Sequence, residues 1–217
     1  MIINGHEIKA AIFDVDGTLL DTMGEWHTVG ERYLKSLGYE PEPNLGDILF
    51  TKTSVTSAEY MIENYGLDKS VEEIQTAING FVENMYYNYA DFKPGARQFI
   101  DMLRAEGVPM AIASSTDGHC LRAAMERLGC IDYFTGIFSC GDLGTTKKEP
   151  DVFMMALESV GAVPEETWVF EDGLYAMETA KKAGFKIFGV YDEESHGDQD
   201  AIKAISDIYI REFAEIL

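Results

Sequence analysis

Positive charge is what this chain has least of: 17 Lys plus Arg stand against 38 Asp plus Glu, a formal net charge of −21. A chain this acidic repels nucleic-acid backbone and anionic lipid, so neither is expected as a partner. Cysteine is scarce as well. Cys120, Cys130 and Cys140 are odd in number and form no C-x-x-C pair, which argues against a disulfide framework and reads as small buried residues. No stretch comes near the roughly 20 consecutive apolar residues of a membrane helix, and Glu7, Asp14 and Asp16 interrupt what would have to be the apolar region of a signal peptide. A cytoplasmic location is therefore expected. There is no internal repeat, low-complexity tract or Gly/Ser linker, and only six prolines. What remains, 217 residues at 46% hydrophobic and 12% aromatic, is long enough for one sizeable core plus a smaller appended unit.

Two textures run along the chain. From about residue 94 onward, helical patterns alternate with short apolar runs. Ala96, Phe99, Ile100 and Leu103 fall at helical spacing, and residues 109–114 then read as a strand. Further helices are predicted over 117–128, 150–160 and 174–183, with strands at 136–139, 167–170 and 186–190. Strands without polar alternation, joined by helices, predict a parallel sheet with helices on both faces, an α/β core. Residues 22–92 look different. Trp26, Val29, Tyr33, Leu34 and Leu37 mark one amphipathic helix, Ile74 to Tyr89 carries another, and 54–65 reads as helix between them. The expected organisation is a core of residues 1–21 and 93–217, with a small all-helical cap, 22–92, inserted after the first strand.

The first strand, residues 10–13, runs into Asp14-Val15-Asp16-Gly17. In a parallel sheet, ligands sit beyond the carboxyl ends of the strands, and residues two apart point to the same side, so both aspartates can face that crevice. Two neighbouring carboxylates repel unless a cation or a proton lies between them, so the pair implies a divalent metal, a shared proton, or both. A calcium loop fails, because its sixth position is Leu19 where that loop requires glycine. Ordinary Asp-Gly turn chemistry is the competing explanation. Three other places on the chain weigh against it: the run 109–114 finishes on Ser114, Lys147 precedes a helix opened by Pro150, and the run 167–170 leads into Glu171 and Asp172. Ser115 and Lys148 are the neighbouring alternatives to Ser114 and Lys147. The histidines, His6, His27, His119 and His196, have no metal-ligand spacing.

Together DVDGT, AIAS, KKEPD and FEDG resemble, in order and over essentially the full chain, the four motifs of the haloacid dehalogenase-like superfamily. The helical insertion is similar to that of the subfamily containing beta-phosphoglucomutase and many small phosphatases. The resemblance implies a Rossmann-like core with a helical cap that closes over the site, and Mg²⁺-dependent phosphoryl transfer through an aspartyl-phosphate. It makes Asp14 the nucleophile and Asp16 the general acid, then base. Mg²⁺ would be held by the carboxylates of Asp14 and Asp172 and the backbone carbonyl of Asp16, with Glu171 acting through a water. Phosphoryl oxygens would be held by Ser114 or Ser115, by Thr18 and by Lys147, which the family's K-P-x-P-D pattern selects over Lys148.

A phosphatase and a sugar phosphate mutase share this core, and a mutase needs a cationic clamp for a second phosphate. Residues 22–92 offer only Arg32, Lys35, Lys52 and Lys69 against twelve acids. The expectation is therefore a phosphomonoesterase, a monomer acting on a small phosphorylated metabolite such as a sugar phosphate. Lys52 is the one cap residue that could rescue the mutase reading. Trp26 stands where the subfamily often has histidine, and its indole could stack on a substrate face or simply pack the cap. Gly173 replaces a common serine, and Ala176 a glycine. Dehalogenation is disfavoured because that branch lacks the second aspartate. A phospho-receiver domain does not suit the length or the cap, and a catalytically silent partner-binding protein would have no need of Asp14, Asp16, Ser114, Lys147 and Asp172 together.

Overall fold

The structure, a computed structural model, describes residues 1–3 and 5–217. At the N-terminus β1 (Ile2–Ile3) and β2 (His6–Glu7) form a short antiparallel ribbon. Six strands follow: β3 (Ala10–Phe13), β4 (Met110–Ser114), β5 (Phe134–Ser139), β6 (Thr167–Glu171), β7 (Lys186–Val190) and β8 (Ile208–Ile210). They pair in parallel in the order β5-β4-β3-β6-β7-β8. The chain moves outward from β3 through β4 to β5, then returns to the opposite side of β3 with β6. That reversal between β3 and β6 opens a crevice at their carboxyl ends.

By contact the chain divides into two compact units, Met1–Thr22 with Ala90–Leu217, and Met23–Tyr89. The second is all helix: α1 (Met23–Ser36), α2 (Leu45–Phe50), α3 (Ser54–Tyr65) and α4 (Val71–Asn88). Thr53 and Ser70 open α3 and α4 with capping boxes, each side chain accepting from the third helical amide while Thr56 and Glu73 reach back. Tyr33, Leu34, Leu45, Ala58, Met61, Leu67 and Ile74 make this unit's own core.

In the first unit α5 (Ala96–Ala105), α6 (Gly118–Arg127), α7 (Cys140–Leu143), α8 (Asp151–Val160), α9 (Leu174–Lys182) and α10 (Gln199–Ile205) accompany the sheet. The central strands are buried along their whole length, which is why they carry no polar alternation. On one face Phe13 stacks on Phe170 at 4.4 Å and Phe170 on Phe188 at 4.5 Å, with Phe99 of α5 and Phe213 against them. On the other, Ala10, Ile12, Ala111, Ala113, Val169 and Ile187 pack with Val152, Phe153 and Ala156 of α8 and Met177 and Ala180 of α9. Small residues on the strands let those two helices approach closely. No helix among the described residues is long and apolar enough to cross a membrane.

Candidate active site

Register brings the acidic residues together. Phe13 pairs with Phe170, and the amide of Asp14 donates to the carbonyl of Phe170 at 2.9 Å. Asp14, the residue after β3, therefore emerges beside Glu171, the last residue of β6, and Asp172, which follows it. Ligand atoms of these three buried carboxylates lie within 4.8 Å of one another. Lys147, 2% exposed, reaches in from the segment before α8 and ion-pairs with both Asp14 and Glu171. Lys148 is exposed. Glu171 gives one oxygen to Lys147 and accepts on the other from the amides of Asp172 (3.0 Å) and Gly173 (2.9 Å). Both its oxygens are thus engaged within the protein.

Asp16 lies apart from that cluster. Its carboxylate accepts from Thr22 Oγ1 at 2.6 Å on one oxygen and from Thr116 Oγ1 at 2.7 Å on the other. Gly17 turns the chain with φ +80°, a conformation that disfavours any Cβ. The hydroxyl of Thr18, expected to lie near a phosphate, is fully buried and donates to Asp172 at 3.1 Å. Ser114 sits buried at the end of β4, its hydroxyl accepting from the amide of Thr116 at 3.1 Å. Ser115 is exposed. In the helical unit Trp26 donates its indole N–H to Tyr86 at 3.0 Å, and the crevice it lines with Val29, Arg32 and Phe81 leaves no room for a water molecule. Lys52 holds its ammonium over the Tyr60 ring at 5.1 Å.

Burial sets the electrostatics. It pushes Asp14 up from the ordinary carboxylate value to about 8, with Glu171 and Asp16 adding to the shift and Lys147 opposing it. Asp172 is also raised by burial, and Glu171, Asp14 and Asp192 push the same way. Burial would lower Lys147, but Asp14 and Glu171 outweigh it and keep the ammonium charged. Ionised together, the three buried carboxylates would carry two negative charges beyond the one that Lys147 balances, a charge that a divalent ion would match. Asp14 spends one oxygen on Lys147 and Asp172 one on Thr18, leaving each a second oxygen for that ion. Hard carboxylate donors of this kind favour Mg²⁺ or Ca²⁺ over thiol-seeking metals. Cys130, pushed up to about 11 by burial, and Cys140, raised the same way, are inert thiols.

Thr22, Thr116 and Tyr175 are site neighbours that sequence reasoning missed. Thr116 carries a weak signal, as a hydroxyl two residues beyond Ser114. The hydrogen bond from Thr116 to Asp16 spans 100 residues, a separation no local pattern encodes.

A family model described as haloacid dehalogenase-like hydrolase matches residues 11–190. A phosphorylated carbohydrates phosphatase from Thermotoga maritima is 27% identical over 187 residues, covering 84% of this chain and 85% of that protein. Among solved structures, a CbbY variant from Rhodobacter sphaeroides in complex with xylulose-(1,5)bisphosphate superposes with a TM-score of 0.77 at 22% identity, over 96% of each chain. A beta-phosphoglucomutase from Clostridium difficile superposes with a TM-score of 0.70 at 17% identity, over 97% of this chain and 94% of that one. At these identities the two structures speak to the fold.

Proposed function

Because the chain belongs to the haloacid dehalogenase-like hydrolases, we propose that it is a Mg²⁺-dependent phosphomonoesterase working through an aspartyl-phosphate on a small phosphorylated metabolite, a sugar phosphate in the first instance. The observation that carries this reading is the cluster of Asp14, Lys147, Glu171 and Asp172 at one sheet edge. The second oxygens of Asp14 and Asp172, with the Asp16 carbonyl, would hold Mg²⁺. When bound, that ion supplies charge neutralisation, letting Asp14 act as a carboxylate and letting a phosphate dianion approach.

Asp14 forms a new O–P bond as the P–O bond to the leaving alcohol breaks, and protonated Asp16 gives its proton to the departing oxygen. Asp16, now a carboxylate, takes a proton from water. The water oxygen bonds to phosphorus, and the Asp14–P bond breaks to release inorganic phosphate. Lys147 and Ser114 hold the non-bridging oxygens, whose charge grows in the transition state. Thr22 and Thr116 fix the Asp16 carboxylate between two hydroxyls, which sets its direction.

The same core could serve a mutase, but three of the four cations in residues 22–92 that a second phosphate could use are already engaged. Arg32 pairs with Glu25 and donates to Tyr89 at 2.9 Å, Lys35 pairs with Glu31 at 3.5 Å, and Lys52 covers Tyr60. Acidity throughout residues 22–92 favours a neutral or cationic leaving group. A panel of sugar, nucleotide and polyol phosphates, assayed with Mg²⁺ and with EDTA, tests the proposal. Release of inorganic phosphate from sugar phosphates only with Mg²⁺ supports it. Isomerisation without release supports the mutase, and inactivity on every ester supports a silent scaffold.

A further inference from the structure

Lys93 has no place in the chemistry above, yet its side chain is only 11% exposed and its ammonium is hydrogen-bonded in full. It donates to the carbonyl of Gly17 at 2.8 Å, to the carbonyl of Tyr191 at 2.7 Å and to Asp192 Oδ2 at 2.7 Å, which uses all three of its protons. Its backbone amide adds a bond to the carbonyl of Leu19 at 2.9 Å. Asp192 is itself 5% exposed and accepts from the amide of Glu194 on its other oxygen, so both partners are fixed. Gly17 follows β3 and Tyr191 follows β7, the two strands that flank β6 in the sheet. The strand between them ends in Glu171 and leads into Asp172. Gly17 lies between Asp16 and Thr18, and Thr18 donates to Asp172.

We propose that Lys93 is a positioning residue for the site. By tying Gly17 to the end of β7 it holds the Asp16–Gly17–Thr18 turn in register with Asp172, so that the Asp16 carbonyl and the Asp172 carboxylate stand where one cation can use both. This rests on the proposed phosphatase reading. The competing explanation is a buried ion pair that only stabilises the fold. Charge separates the two: removing an ammonium near a cation site favours cation binding on electrostatic grounds, so weaker Mg²⁺ binding after its removal must come from lost geometry.

Lys93→Met is compared with the double variant Lys93→Met/Asp192→Asn, which leaves no orphaned carboxylate and so guards against simple unfolding. Mg²⁺ affinity is measured by calorimetry without substrate, and kcat and KM well below each variant's Tm. The expected result is Mg²⁺ binding weakened by about 10–100-fold in both variants, with kcat lowered over a similar range. Mg²⁺ affinity equal to or tighter than the parent's, with kcat unchanged and only Tm reduced, overturns the positioning role. The parent protein is the control. If it binds Mg²⁺ and turns over phosphate esters while the variants match it, only the role of Lys93 falls; if the parent does neither, the phosphatase reading falls and this inference with it.

Discussion

Lys147 is the residue at which the predictions for stability and for the proposed chemistry meet. Replacing it with Met leaves Asp14 and Glu171 as buried carboxylates facing no counter-charge, which typically costs about 3–5 kcal/mol. Denaturant unfolding in EDTA should show that loss at pH 8 and a smaller one at pH 5, where Asp14 holds its proton and needs no counter-charge. Turnover should fall by about 10²–10³-fold, the usual effect of deleting a donor to developing charge. Asp14 makes the complementary prediction. Without metal its folded-state pKa is pushed up to about 8 from an ordinary 3.8, so the folded protein holds that proton more tightly than the unfolded chain. Ionising it therefore costs stability, a cost absent below about pH 4, growing with pH and complete above about pH 8. Asp14→Asn removes the cost, so in EDTA the stability of the variant relative to the parent should climb across that window. A difference that stays flat with pH contradicts the environment assigned to Asp14. At this scale the motif residues were legible because each closes a strand or precedes a helix. Lys93 was not, since its contacts lie 76 and 98 residues away along the chain.

Elements were legible where their periodicity ran long enough to be read. The helix 54–65 and the strand 186–190 have the bounds expected of them, and the aromatic-rich segment after residue 70 forms a single 18-residue helix, α4. Shorter pieces left too little pattern: α2 spans six residues behind Asn44, whose φ of +62° no hydrophobic spacing foretells, and β8 only three. The strand β5 begins two residues before the predicted 136, at Phe134, because pairing with β4 extends past the apolar run. Element ends also give clean stability tests. Gly95 precedes α5 at φ +81°, and a Cβ there would meet the Ala214 nitrogen at 2.4 Å and the Phe213 carbonyl carbon at 2.8 Å. Gly95→Ala combines backbone strain with a clash against main chain, so a loss of at least about 1–3 kcal/mol is expected by chemical denaturation. Ser70→Ala, which removes one capping box of α4, should cost about 1 kcal/mol.

For the whole molecule the decisive property is an acidic chain that gathers its buried negative charge at one edge of a parallel sheet. Order β3-β6-β7 was predictable in kind, because apolar strands joined by helices wind into such sheets, while the register that sets Asp14 beside Asp172 comes from packing of Phe13, Phe170 and Phe188. A divalent ion bound only by the folded state should stabilise it by about 2.7 kcal/mol at 100 times its dissociation constant, read as a rise in Tm with Mg²⁺ that Asp172→Asn largely abolishes. The most direct measurement is borohydride trapping during turnover of a sugar phosphate with Mg²⁺, followed by peptide mass spectrometry. Reduction of an acyl phosphate converts its aspartate to homoserine. Homoserine at position 14, dependent on both substrate and Mg²⁺, is the predicted result; turnover with no modified aspartate, or with homoserine at position 16 instead, would contradict it.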